Sequence, residues 1–490
     1  MKKVGLGFLT LLVVCSCGIC LAGAGGTPPR GNQSDDAIAM LIDLLKSDER
    51  QMQTVAIAMV REMPGKEMTD ALVKELPNLS VTTQVQLLSA LGDRGDRAAL
   101  PAVITAAKAA DESVRTEALR ALGQLGNAST VGLLAQTAAG ASGDEQEAAR
   151  ESLYRLRGPA VEQAILLGMQ TVNGAILAEI PKAETKTKVE LISSVGQRNI
   201  SAGVSTLLKT AKDSDREVRA ESYKVLKVVA GPQHLPALVE LLINVRSSSD
   251  RNEAEKTVAA VAHKIEDKNR QAEAVLAVLP SVKDVEKRSS LLSVLGKIGD
   301  SSALPCLREA LDSDDVNIKG ATIRALAEWP TSEPAVDLMK AAENSENKVH
   351  RILALRGYVH LLGLDNKLTA EETIGMYQKA MALAPDAGEK KRVLSGLANI
   401  KSLDALLMAA DYLQDKTLFR EAEFAVVKIA ESIFTSPGPS PGLDQTDLRR
   451  VQQAKAVLTK IIQTSENDSL RQQAQKVINQ IDGPNMQTED

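Results

Sequence analysis

The stretch Asp111-Glu112-Ser113-Val114-Arg115-Thr116-Glu117-Ala118-Leu119-Arg120-Ala121-Leu122-Gly123-Gln124-Leu125-Gly126 decides the fold. Val114, Ala118, Leu122 and Leu125 stand at i, i+4, i+8 and i+11, which places them in one apolar stripe along a helix. Asp111 precedes the run as an N-cap. Its carboxylate can accept the amide hydrogens that the first turn leaves unpaired, and its charge suits the positive end of the helix dipole. Gly123 and Gly126 read as the helix exit, because glycine accepts the tight backbone geometry found there. A second helix, TVGLLAQTAAG, is expected from Thr130.

The pattern recurs. Counterparts of Asp111 begin at Asp215, Asp315 and Asp415, 104, 100 and 100 residues apart. The preceding helix repeats as well, with LLSALG from Leu87, LISSVG from Leu191, LLSVLG from Leu291 and VLSGLA from Val393, each copy preceded by a proline at 77, 181, 280 or 385. Leu-Gly-type helix ends then fall every 31 to 39 residues, the length of one helix pair with two turns.

On these residues the chain resembles the HEAT family, in particular the phycobilisome-lyase type of HEAT-like repeat. The likeness is fullest from Asp111 to Gly126 and weaker from Asp215 to Ala230 and from Asp315 to Pro330. In the third copy Lys319 replaces the arginine that stands at 115 and 219. In the fourth, Phe419 takes that place and Arg420 follows one residue late. The resemblance implies an all-α fold, a right-handed α-solenoid of about twelve HEAT-like hairpins over residues 36–483, with an extended concave surface and no particular activity. The physics agrees: one amphipathic pair cannot bury its own stripe, so neighbouring pairs must stack. Thr435 to Gly442 (TSPGPSPG) reads as a Pro/Gly linker at 435–442, and residues 484–490 as a disordered tail.

Composition is compatible with this. Of 490 residues 44% are hydrophobic and 25% charged, but only 2% aromatic, so Ala, Leu and Val must pack the core, which favours close-packed helices over sheets. With 58 Lys+Arg against 63 Asp+Glu the net charge is −5, and without a basic excess or stacking platforms no nucleic-acid partner is expected.

Met1-Lys2-Lys3 and the apolar run Val4 to Ala24 read as a secretory signal peptide over residues 1–24, followed by a flexible tether at 25–35. Two cleavage readings stand side by side: signal-peptidase cleavage after Ala22-Gly23-Ala24, or a lipobox-like Val14-Cys15-Ser16-Cys17 that makes Cys17 the lipidated first residue. An uncleaved anchor is a third. The lipobox-style signal points to a bacterial, exported protein, periplasmic or held to the membrane by lipid at Cys17. Cys17-Gly18-Ile19-Cys20 spells C-x-x-C, but no His follows it and it lies within the signal. The mature chain keeps Cys306, plus Cys17 and Cys20 if the lipobox is used, and no internal disulfide framework.

No catalytic, cofactor-binding or metal-binding residue set emerges. His234, His263, His350 and His360 show no zinc-ligand spacing, and neither a phosphate loop nor a nucleophile elbow occurs. Asp312, Asp314 and Asp315 read as turn and capping residues rather than an acid/base pair. For Arg115 and Arg219 the resemblance to HEAT-like repeats implies bridges between adjacent repeats rather than a ligand ladder, which the helix-pair spacing favours. Arg94-Gly95-Asp96 spells an adhesion tripeptide at an inter-helix bend, which we attribute to chance. Trp329, Tyr223 and Tyr358 read as core residues, with a binding hot spot at Trp329 as the alternative.

The reading is therefore a non-enzymatic scaffold or adaptor that takes another protein as its partner. The alternatives are a lyase-like or enzyme-accessory protein acting with a catalytic or chromophore-bearing partner, and a freestanding version of a module that elsewhere accompanies a catalytic domain. No cofactor is implied. Mass spectrometry of the mature N-terminus separates the export readings: an acylated Cys17 is the expected product of the lipobox, and a start at Gly25 that of signal-peptidase cleavage.

Overall fold

The computed structural model describes residues 32–156, 171–364, 369–435 and 445–483. The signal segment with Cys17, most of the tether, most of the Pro/Gly linker and the 484–490 tail lie outside the described residues. The first described helix, Asn32–Lys46, begins inside the stretch read as tether. Among the described residues there are 26 α-helices and no strand. None is long and apolar enough to cross a membrane. The chain divides into two compact units, one ending at Gly126 and the other starting at Asn127.

Each unit is a stack of helix pairs, as the α-solenoid reading requires. In the first, the long helices Arg50–Glu62, Val81–Arg94 and Glu112–Leu125 lie side by side, with the shorter helices Lys66–Glu75 and Leu100–Ala106 between them in sequence. In the second, neighbouring long helices pack in an unbroken series from Thr185–Gln197 through Arg216–Val229, Ser248–Ala262, Val285–Ile298, Val316–Ala327, Lys348–Leu362, Ala387–Leu397 and Phe419–Phe434 to Asp468–Ile481.

Local chemistry sets the boundaries. Asp111 accepts from the backbone N–H of Ser113 and Val114, Asp215 from Glu217 and Val218, and Asp315 from Asn317 and Ile318. The fourth copy departs, since Asp415 accepts from Thr417 and the helix starts only at Phe419. Short helices open through a 3₁₀ turn and carry proline in their first turn, at Pro101, Pro236 and Pro305, where a missing N–H costs nothing. Pro77, Pro181 and Pro280 sit in the 3₁₀ turns that lead into the next long helix. The stripe of Val114, Ala118, Leu122 and Leu125 is buried to 1% exposure or less. A fully buried leucine of this kind contributes roughly 1.5–3 kcal/mol over its exposed state.

The repeat glycines correct one expectation. Gly123 is buried inside its helix, whereas Gly126 does stand at the exit, as the C-cap in ordinary extended backbone. Among the described glycines Gly95 and Gly299 close their helices with positive φ, +72° and +70°, and Asn199 does the same at +50° after Thr185–Gln197. Elsewhere glycine lets long helices approach: a Cβ on Gly296 would stand 2.4 Å from the Ala325 carbonyl oxygen, and one on Gly92 3.3 Å from Ala121 Cα. Gly375, in the middle of Ala370–Leu383, faces open space. Gly296→Ala is therefore expected to destabilise the protein by ~1–3 kcal/mol through forced separation of two helices. Gly375→Ala should stabilise it by ~0.4–1 kcal/mol by restricting the unfolded chain. Urea unfolding of both variants checks the pair, and the opposite ranking refutes the packing role.

Candidate functional site

The side chains that sequence offers for chemistry are mostly consumed where repeats meet. Arg115 Nη1 donates to the carbonyls of Ala109 and Ala110 at 3.0 and 2.8 Å, and Arg219 Nη1 to those of Asp213 and Ser214 at 2.9 and 2.8 Å. Arg219 also reaches the next repeat, its Nε 2.7 Å from Asp250 Oδ2. Arg150 and Glu190, and Arg356 and Glu389, pair the same way across successive long helices, each through Nε and Nη2. Two-point guanidinium–carboxylate contacts of this kind fix register as well as attraction.

A second set of bridges runs to helix ends. Arg94 donates from Nη1 to the carbonyls of Val60 and Met63 and from Nη2 to Gly65. Arg198 does so to Tyr154 and Leu156, and Lys264 to Val228 and Ala230. Apart from that of Gly65, the N-cap of Lys66–Glu75, these are carbonyls at helix C-termini, at the negative end of the dipole, where the helix runs out of internal donors. Burial pulls the Arg198 and Lys264 cations below their usual ranges. The adhesion-like tripeptide is thereby accounted for. Arg94 caps the preceding repeat, Gly95 takes a left-handed turn, and Asp96 accepts from Ala98 N–H and from the Thr69 hydroxyl, which holds its carboxyl below the usual range. Sequence reasoning missed Arg94, Arg198 and Lys264 in this role. Their position near the C-terminus of each long helix is the signal that points to it.

The histidines do not converge. His234 Nδ1 accepts from Gly231 N–H, and His263 Nε2 donates to the Ile298 carbonyl, both at 3.0 Å. His350 is buried at 5% exposure, bonded to the Val316 backbone, with Nδ1 unpartnered. His360 is exposed beside Arg356 and Arg392 in a hollow of about 250 Å³. Among the described residues no group of three or more His, Cys, Asp or Glu gathers into a cation-holding cluster. Asp312 closes helix Leu304–Leu311, Asp314 is exposed and Asp315 is an N-cap. Cys306 is half-buried, and burial pushes its thiol up. Trp329 is 1% exposed, so it fills core space and the hot-spot alternative falls. Tyr223 and Tyr358 are equally buried, their hydroxyls pushed up to about 12 by desolvation.

The large apolar side chains left exposed stand singly near helix ends, as at Val81, Val228, Val316, Val349 and Leu364, with two exceptions. In the first unit Met40, Met52, Val55 and Met59 are exposed on the first two helices. In the second unit Phe424 is exposed in the middle of a long helix and lines a groove of about 560 Å³ with Arg420, Glu423 and Glu466. Sequence reading did not single out Glu423 or Phe424, although superposing the four Asp-led copies isolates both.

Residues 69–154 and 272–358 match a family model described as HEAT repeats. Those two stretches carry HEAT repeats. None of the curated proteins matches it. Among solved structures, the karyopherin Kap121p bound to the SUMO protease Ulp1p has a TM-score of 0.53 at 12% identity, and Kap121p bound to Pho4p one of 0.52 at 12%. Kap121p bound to the extreme C-terminus of the protein phosphatase Cdc14p gives 0.53, also at 12%. In each case 91% of this chain is covered, and 54% of the karyopherin, so the chain spans about half the length of these relatives in fold. At such identity the likeness is one of architecture.

The buried imidazole has a measurable consequence. Desolvation first, then the Lys319 and Arg324 charges, hold the folded-state His350 below its usual value of 6.5. Below that pH the unfolded chain takes up the proton before the folded one, so stability falls until the folded-state value is reached. His350→Leu should flatten the dependence of the thermal midpoint on pH just below 6.5, a range in which carboxylates are still ionised. An unchanged slope removes His350 as the cause.

Proposed function

We propose that the chain is a non-enzymatic scaffold, exported from a bacterial cytoplasm, that binds another protein on the exposed flanks of its long helices. The observation that carries this reading is how the polar side chains are used. Arg94, Arg219, His263 and Asp315, each with a role in chemistry open to it, hold repeats together or cap helices. The face of a helix array is left for contact, a mode in which a few exposed anchors carry most of the affinity. The Kap121p structures, which carry bound proteins, support the use of this fold for protein binding. Export rests on Met1 to Ala24, with Cys17 as the lipid-bearing residue or as part of a removed leader.

A photo-crosslinking residue placed at Val228 or Val349, both exposed on long helices, tests the reading. The same residue at Val336, exposed on the short helix Ala335–Asn344, is the control. One defined adduct from the long-helix positions and none from the short-helix position is expected. A spread of abundant proteins from all three overturns the proposal.

A further inference from the structure

The four Asp-led copies differ at one pair of positions. Eight residues after the leading aspartate stand Leu119, Tyr223, Ile323 and Glu423, and all four are buried, the first three at 1% exposure or less and Glu423 at 5%. The next residue is Arg120, Lys224, Arg324 and Phe424, and all four are exposed. In three copies an apolar side chain enters the core and a cation meets water. The fourth inverts both, with a carboxylate inside and an aromatic ring 51% exposed. The register is secure despite the late start of the helix: Ser222, Tyr223, Val225 and Leu226 are buried, and so are Ala422, Glu423, Ala425 and Val426.

A carboxylate in a core position is stable only when paired, because losing hydration costs it several kcal/mol in practice. Among the described residues nothing hydrogen-bonds Glu423 Oε2. The neighbouring charges are already engaged. Lys391 Nζ lies 3.0 Å from Glu421 Oε1, Arg420 lies 3.6 Å from Glu466, and Lys428 sits 5.9 Å from the Phe424 ring centroid. Glu423 and Phe424 both line the groove of about 560 Å³, beside Ser395 and Leu470. It therefore offers carboxylates with unpartnered oxygens, Oε2 of Glu423 and of Glu421, next to one exposed aromatic face.

We infer that this groove takes a basic side chain, arginine or lysine, presented by the protein partner. The cation pairs with the Glu423 carboxylate, and the aliphatic stem or an apolar neighbour covers the Phe424 ring. A guanidinium satisfies both features at once, since it makes charge-assisted hydrogen bonds and stacks on aromatic faces. The inference rests on the scaffold reading and names the chemistry of its site.

The test uses the full chain and a fluorescent pentapeptide with a central arginine flanked by leucines, alongside the same peptide with neutral, isosteric citrulline. The arginine peptide should bind at least about tenfold more tightly, the loss expected when a charge-assisted pair is removed. Binding should vanish in Glu423→Leu and weaken in Phe424→Ser. Glu423→Leu restores the residue class of the other copies and should melt at a higher temperature than the parent, which separates lost recognition from lost folding. Equal affinity for the two peptides, undiminished binding to Glu423→Leu, or a lower melting temperature for that variant overturns the inference. If these results fail while crosslinks from Val228 and Val349 still give one adduct, only the basic side chain falls. If the crosslinks fail too, the scaffold reading falls with it.

Discussion

A helix pair with an apolar stripe on one side is unstable alone, and the whole structure follows from the need to lay a second pair against the first. The stripe that begins at Val114 is hidden only because neighbouring helices cover it. Close approach then selects small residues where long helices touch. Gly92 and Gly296 are the positions where any side chain would meet the backbone of the next helix. What looks in sequence like punctuation is in these places a matter of clearance.

Stacking also creates the demand that the polar residues meet. A helix ends in carbonyls that its own backbone cannot satisfy, and at three of these ends the following repeat supplies Arg94, Arg198 or Lys264. Arginine–carboxylate pairs such as Arg219 with Asp250 and Arg356 with Glu389 cross the same seams. Because these groups are partly screened from water and held at several points, they set register more than they add raw stability. Reactive-looking residues are thereby drawn into architecture, and a surface departing from the repeat pattern becomes the informative one. Glu423 and Phe424 form such a departure, exchanging the roles of core and solvent side chain within a single turn of helix.

The parts legible in the sequence were those decided locally. Asp111, Asp215 and Asp315 were readable as caps because an aspartate before an apolar-periodic run acts on amides two and three residues away. The recurrence at about 100 residues gave the pairing of helices. Arg219 was expected as a bridge from the resemblance to HEAT-like repeats, although its partner Asp250 was not legible. Trp329 stayed ambiguous because an aromatic at a helix end fits a core or a binding anchor equally well until its neighbours are known. Gly123 was misassigned for a related reason: glycine serves a turn or a close contact, and nothing in its own segment separates the two.

The sequence by itself therefore determined the all-α class, the repeat length, the caps and the core stripe, since each depends on residues within a few turns of one another. Tertiary structure decided which glycines are contact points, which cations close a neighbour's helix and which histidine is desolvated, because each depends on atoms 25 or more residues away. The candidate site belongs to both. The exchanged pair at Glu423 and Phe424 is written in the chain, but only the packed helices show that one oxygen of the carboxylate is buried without a hydrogen-bond partner and that the residue lines a groove.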